Sequence, residues 1–208
     1  MTSPALNPQW LTPQRTALLL IDYQVDFAWP EGQMARDGAD IGPALRAVAQ
    51  AETLAEAARA AGVPLVFTRS IAWPQSDGPV VAEARARRGE SDRPRLCIEG
   101  TSGAAFVGPQ PRPGELVVSK HRYSSFHGTG LDTALKAKGI DTLVIAGLTT
   151  ECCVQSSVWA AFERGFHVFI AADACAAYED DLHRVALKAM ELSGANLAAA
   201  ADFRAAWK

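Results

Sequence analysis

The sequence lacks any long apolar run, and none of its runs approaches the roughly 20 residues that a helix needs to cross a bilayer. It also lacks an excess of charge, because a net charge of -3 with interleaved signs leaves no basic patch for nucleic acid. The first 12 residues contain neither a basic flank nor the apolar segment of a signal peptide. We therefore expect a cytoplasmic protein that binds neither membranes nor nucleic acid.

Cysteine and histidine are scarce, with four residues of each. Four cysteines in a chain of 208 residues do not make a disulfide scaffold, and two of them are adjacent, so we expect reduced thiols. They are Cys97, Cys152, Cys153 and Cys175. The histidines show no close pair of the kind that binds zinc, and we expect no metal and no other cofactor. They are His121, His127, His167 and His183.

The composition that remains is that of a globular domain, with 49% hydrophobic residues, and we predict one domain over residues 1–208. Short apolar runs alternate with segments of helical spacing. The runs predict strands at residues 17–21, 63–68, 116–119, 142–146 and 168–172, with a weaker one at 195–200. The helical segments are residues 44–61, 81–88, 131–138, 154–164 and 182–192. This alternation predicts an α/β fold whose parallel sheet is covered on both faces.

Residues 147–154 read Gly-Leu-Thr-Thr-Glu-Cys-Cys-Val and lie between a predicted buried strand and a predicted helix. The free N–H groups of a first helical turn favour negative charge, which suits a thiolate. This helix field contributes only about 0.3–1 kcal/mol, less than the ~1.36 kcal/mol of one pKa unit. An activated cysteine therefore needs a base or a cation from another part of the chain.

Two ionisable residues satisfy that need, because ligands of parallel sheets bind beyond the carboxyl ends of the strands. Asp22 follows the first predicted strand and Lys120 follows the third, while residues 149–153 follow the fourth. Together they predict a cysteine nucleophile with a carboxylate base and a cation beside it. The alternatives are a turn aspartate, a surface lysine and a small core cysteine.

Four segments, taken together and in this order, resemble the isochorismatase-like cysteine hydrolases. They are residues 20–27 (Leu-Ile-Asp-Tyr-Gln-Val-Asp-Phe), 99–104 (Glu-Gly-Thr-Ser-Gly-Ala), 118–126 (Val-Ser-Lys-His-Arg-Tyr-Ser-Ser-Phe) and 147–154. The resemblance covers nearly the whole chain. It implies a three-layer α/β/α sandwich with a six-stranded parallel sheet, and it suggests a homodimer or homotetramer.

The resemblance also implies a catalytic triad of Asp22, Lys120 and Cys153, with Lys120 lowering the pKa of the thiol. A cis peptide between Leu148 and Thr149 would aim the backbone N–H groups of Thr149 and Cys153 at one oxyanion. We accordingly expect an alkylating label to react first at Cys153.

The activity implied is hydrolysis of a small carboxamide, ureido or carbamoyl compound through a thioester, with release of ammonia or an amine. Family members of this kind act on N-carbamoylsarcosine, ureidoacrylate or biuret. Nicotinamidases of the family carry a metal with Asp and His ligands after the second strand, and residues 68–74 contain neither type. Two alternatives stay open: an isochorismatase-type vinyl-ether hydrolase, and a non-catalytic binding or redox protein that senses oxidants through Cys152 and Cys153.

Aromatic residues near the same strand ends predict the wall of a pocket for a small planar substrate, although each is equally suited to core packing. They are Phe27, Trp29, Trp73, Tyr123 and Phe126. The long segment 69–114 reads as an excursion over the sheet. It carries five arginines that attract an anionic substrate, form an exposed face or make a subunit contact. These are Arg85, Arg87, Arg88, Arg93 and Arg95.

Overall fold

One parallel sheet of six strands forms the centre of the protein. The computed structural model describes residues 6–73 and 76–208. Its strands are β1 (Thr16–Ile21), β2 (Leu65–Ser70), β3 (Leu116–Lys120), β4 (Thr142–Leu148), β5 (His167–Ala176) and β6 (Asn196–Ala198). They lie in the order β3-β2-β1-β4-β5-β6, and all five pairings are parallel. The predicted α/β fold with a six-stranded parallel sheet is confirmed. Residues 1–5, which belong to the predicted domain, lie outside the described residues. Pro74, within the segment 68–74, also lies outside them.

Helices cover the sheet on both sides. They are α1 (Val25–Ala28), α2 (Gln33–Arg36), α3 (Gly42–Ala60), α4 (Gly78–Arg87), α5 (Leu131–Ala137), α6 (Gln155–Glu163), α7 (Asp180–Leu192) and α8 (Ala200–Ala206). Successive residues of a strand point to opposite faces, so β1 contributes Leu18 and Leu20 to one core and Leu19 to the other. The first core includes α3 and α8, and the second includes α5, α6 and α7. Over the described ranges, no helix combines the length and the apolar character needed to span a membrane.

The central strands β1 and β4 approach each other closely where they end. Ile21 is the partner of Gly147 in the pairing of these strands. A Cβ atom at Gly147 would collide with the carbonyl oxygen of Ile21, so only glycine fits here. This close approach brings the residue after β1 next to the turn after β4.

The structure differs from the predicted elements at both ends of the chain. The short helices α1 and α2 were not predicted, and β2 is Leu65–Ser70 rather than residues 63–68. Strand β5 continues to Ala176 although the apolar run ends at residue 172, and the polar Asp173 within it accepts a hydrogen bond from the backbone N–H of Ala200 at 2.6 Å. The last predicted strand is shortened to Asn196–Ala198, and the unpredicted α8 follows it. Lys120 is the last residue of β3 rather than the first residue after it.

Candidate active site

Asp22 lies directly after β1 and is completely buried. Its φ of 55° is in the left-handed region, which aspartate tolerates better than most residues. Its backbone N–H donates to the carbonyl of Thr68 at 3.1 Å, and the Thr68 hydroxyl donates to Asp22 Oδ1 at 2.8 Å. The backbone turn and the neighbouring strand β2 thus fix the direction of this carboxylate.

Lys120 joins Asp22 to Cys153. Its Nζ lies 2.5 Å from Asp22 Oδ2 and 3.3 Å from Cys153 Sγ, and it also donates to the carbonyl of Arg122 at 3.1 Å. Burial lowers the pKa of Lys120, but the negative charge of Asp22 and the hydrogen bonds to its partners raise it, and the net shift is upward from 10.5. Lys120 is therefore a cation at neutral pH, although its side chain is fully buried.

The turn after β4 presents the cysteines. The peptide bond between Leu148 and Thr149 is cis, as the resemblance implies. One turn of π-helix, Thr150–Val154, follows and leads directly into α6. The Thr150 hydroxyl is hydrogen-bonded to His183 Nδ1 at 2.8 Å, and the Ser157 hydroxyl donates to the carbonyl of Cys153 at 2.7 Å. Side chains of α6 and α7 therefore hold both ends of this turn.

The two adjacent thiols differ in environment. Cys153 is only 7% exposed and Cys152 is half-buried. The adjacent Cys152 thiol, then burial and the charge of Asp22, raise the pKa of Cys153 well above 9.0, and Lys120 offsets only part of this shift. The adjacent Cys153 thiol lowers the pKa of Cys152. Lys120 thus lowers the pKa of Cys153, as expected, but the other three causes outweigh it and the net shift is upward. The greater exposure and the lowered pKa of Cys152 favour labelling there, whereas the family resemblance predicts Cys153 first, and alkylation will decide between them.

A cavity of about 380 Å³ opens beside the turn after β4. Cys153 and Cys152 line it, together with Thr149, whose backbone N–H is one of the two predicted oxyanion donors. Two of the predicted aromatic residues, Phe27 and Tyr123, are also in its wall. The cavity therefore joins the nucleophile candidate to space for a small molecule.

The other three predicted aromatic residues do not line this cavity. Trp29 follows α1 and is 40% exposed. Trp73 packs edge-on against the ring of His121, with centroids 4.0 Å apart. Phe126 is buried in the second core, where its ring packs against that of Phe166. Nearness to a strand end in the sequence did not distinguish wall positions from core positions.

Four arginines also contribute to the cavity wall. The arginines that line the cavity are Arg85, Arg88, Arg95 and Arg122. The first three were among the five singled out in the sequence, whereas Arg87 and Arg93 are instead paired with Glu83 and Asp37. Three further residues escaped the sequence analysis: Thr68 behind Asp22, and Glu151 and Tyr178 in the wall. Only their spacing from the strand ends could have indicated them.

Metal-ligating side chains do not cluster in the described ranges 6–73 and 76–208. No group of three or more His, Cys, Asp or Glu residues there is arranged to hold a metal ion. The chemistry available to the site is that of a thiol, a carboxylate and an ammonium group in contact.

Comparison with known proteins places this arrangement in a family. The model of the isochorismatase domain matches residues 16–202. The ureidoacrylate amidohydrolase RutB of Methylobacterium radiotolerans is 34% identical over 200 residues, which cover 89% of this chain and 76% of that protein.

Two solved structures are similar over nearly their whole length. A cysteine hydrolase from Pseudomonas syringae pv. phaseolicola superposes with a TM-score of 0.81 at 25% identity, covering 100% of this chain and 98% of that one. The N-carbamoylsarcosine amidase of Thermoplasma acidophilum gives a TM-score of 0.72 at 27% identity, covering 89% of this chain and 96% of that one. The match of the domain model over most of the chain, and the relative above 30% identity, establish that this protein belongs to the isochorismatase domain family.

Proposed function

We propose that this protein is a cysteine-dependent amidohydrolase that cleaves a small carboxamide, ureido or carbamoyl compound through a thioester on Cys153. The observation that carries the proposal is the position of Lys120, whose ammonium group contacts both the Asp22 carboxylate and the Cys153 sulfur beside an open cavity. A carboxylate and a cation that converge on a thiol are the parts of an activated nucleophile. The relatives named as amidohydrolase and amidase support the same chemistry.

In the first half-reaction, Asp22 accepts the proton of the Cys153 thiol and the sulfur attacks the carbonyl carbon of the substrate. The negative charge that develops on the carbonyl oxygen is stabilised by the backbone N–H groups of Thr149 and Cys153. Asp22 then returns the proton to the leaving nitrogen, the C–N bond breaks, and ammonia or an amine departs.

In the second half-reaction, the Asp22 carboxylate takes a proton from water, and the hydroxide formed attacks the thioester carbonyl. The C–S bond breaks, the acid or carbamate product leaves, and the sulfur regains its proton from Asp22. Lys120 keeps its proton throughout and holds the carboxylate and the sulfur in position. The reaction needs no cofactor. A homodimer or homotetramer in the cytoplasm remains our prediction for the assembly and its location.

The test is a panel of primary amides and ureido acids with detection of released ammonia. With a slow substrate, intact-mass measurement should detect an acyl adduct on Cys153. Cys153→Ala should leave almost no turnover, because donors to an oxyanion cannot replace a nucleophile, whereas the matched variant Cys152→Ala should retain most of it. Turnover by Cys153→Ala near the parent rate would contradict the thioester route and favour vinyl-ether hydrolysis.

A further inference from the structure

Glu151 presents an unused acceptor at the cavity. It lies two residues before Cys153, and its side chain lines the same cavity. One carboxylate oxygen, Oε1, accepts a hydrogen bond from the Thr149 hydroxyl at 2.8 Å. The other, Oε2, is buried and has no donor among the residues that the structure describes. Buried carboxylate oxygens are rarely left in this state, since the loss of hydration is then uncompensated.

The neighbouring donors are already engaged. Tyr178, which shares the cavity wall, donates its hydroxyl to the carbonyl of Phe27 at 2.9 Å. The Thr149 hydroxyl is used on Oε1. No lysine or arginine nitrogen from residues 6–73 or 76–208 comes within 4.0 Å of the Glu151 carboxylate. A donor for Oε2 must therefore come from whatever occupies the cavity.

The positive charge of the arginines that line the cavity limits which ligand can carry this donor. Arg95 is paired with Asp77 at 3.0 Å and Arg88 with Glu90 at 3.2 Å. The guanidinium groups of Arg85 and Arg122 donate to backbone carbonyls, and neither has a carboxylate within 4.0 Å in the described part of the chain. This surplus of positive charge repels a cationic ligand and attracts an anionic one. A ligand that carries both an anionic group and a neutral N–H would satisfy the arginines and Glu151 together.

We propose that Glu151 is a specificity residue that accepts the internal N–H of a ureido acid, the N–H retained beside the carbonyl after ammonia leaves. This inference rests on the proposed amidohydrolase function, in which the departing nitrogen must face Asp22 to be protonated. Glu151 does not contact the ion pair of Asp22 and Lys120, so it is suited to the retained side of the carbonyl. A plain carboxamide has a methylene at that position and leaves Oε2 unpaired.

Two probes isolate this contact. 3-Ureidopropionate and glutaramate have the same charge and length and differ by one N–H replaced by CH₂. Binding of each is measured by calorimetry to protein carrying Cys153→Ala, which removes turnover, and kcat/KM is measured for the parent by ammonia release. A buried acceptor that loses its donor can discriminate by up to about 10⁴-fold, so we expect the ureido acid to bind at least about 100-fold tighter.

Variants of Glu151 test whether this residue causes the preference. The measure is the ratio of the affinity for 3-ureidopropionate to the affinity for glutaramate. Adding Glu151→Met to the Cys153→Ala protein should reduce this ratio at least about tenfold. Glu151→Gln keeps an acceptor oxygen, so its affinity ratio should lie between those of Glu151→Met and the parent.

The possible failures are distinct. If the parent and Glu151→Met prefer the ureido acid by the same factor, the role of Glu151 is overturned while ammonia release still supports the amidohydrolase. If 3-ureidopropionate does not bind the Cys153→Ala protein, the inference is wrong whatever the amide screen finds. Tight and Glu151-dependent binding without release of ammonia from any amide would instead support the inference and refute the proposed function.

Discussion

The Nζ of Lys120 lies 2.5 Å from Oδ2 of Asp22 in a place where neither side chain is exposed to solvent. The two residues come from strands that are not neighbours, because β2 separates β3 from β1. The ion pair therefore reaches across the end of β2, where the hydroxyl of Thr68 holds the other carboxylate oxygen. A buried pair of this kind has consequences for stability that differ from its consequences for activity.

Removing one charge of this pair should destabilise the fold more than removing both. We expect Lys120→Met alone to lower the free energy of unfolding by about 3–5 kcal/mol, because it leaves the carboxylate of Asp22 buried without a cation. The double variant Asp22→Asn/Lys120→Met contains neither charge and should recover most of that loss. Urea denaturation measures both, and equal losses in the single and double variants would show that the charges are not coupled.

Activity should behave differently in the same variants. Asp22→Asn keeps the side-chain shape but cannot accept a proton, and we expect it to lose at least the roughly 10²–10⁴-fold that a positioned acid–base group contributes. The double variant should stay inactive although its stability recovers. Near-normal turnover by Asp22→Asn would remove this carboxylate from the mechanism.

Alkylation of the thiols should depend on pH in different ways at the two positions. A raised pKa means that the neutral thiol of Cys153 predominates below that value, so its labelling by iodoacetamide should rise about tenfold per pH unit between about pH 6 and 8. Cys152 has a lowered pKa and more exposure, and should be labelled first near neutral pH. Peptide mass spectrometry separates the sites, and pH-independent labelling of Cys153 would indicate a resting thiolate instead.

Activity should not require an added metal. The sequence has no Asp or His ligand in residues 68–74, and the described residues contain no cluster suited to a metal ion. Dialysis against a chelator should therefore leave the rate of ammonia release unchanged. Loss of activity on chelation, with recovery on adding zinc or iron, would contradict this prediction.

Gly147 should be intolerant of a side chain. Gly147→Ala places a methyl group against the carbonyl oxygen of Ile21, and we expect a loss of about 1–3 kcal/mol in the free energy of unfolding as β1 and β4 separate. Gly139→Ala is the matched control, since no atom lies within 4 Å of its added Cβ and only the positive φ of 73° opposes it. That control should lose about 1 kcal/mol or less. Equal losses would mean that backbone conformation, not the strand contact, is responsible.

The fold was predictable because its buried strands are short apolar runs bounded by turn residues. Residues 17–21 and 142–146 are of this kind, and both lie in strands that are buried at every position. The end of β5 was not predictable, because Asp173 is compatible with a strand only through its hydrogen bond to a residue in α8. Such a tertiary contact leaves no periodic signal in the sequence.

The residues of the candidate site that lie at strand ends were predictable from the sequence. Asp22 follows β1 and Lys120 ends β3, so both lie at the same edge of the sheet, where Lys120 also contacts Cys153 after β4. The wall of the cavity depends instead on how the segment between β2 and β3 folds over the sheet. Phe126 was placed there by sequence distance, but it packs in the core, whereas Glu151 was overlooked although it is inside the recognised motif.

The order of strands also sets when the site can exist during folding. Asp22 and the turn after β4 are distant in the chain, and only the pairing of β1 with β4 brings them together. Contacts of such long range form slowly, because the loop between them must close before any contact can stabilise it. Helices such as α3 are local and need no such closure. Enzyme activity therefore requires that the central sheet is complete. During refolding, activity should reappear later than the helical circular dichroism signal.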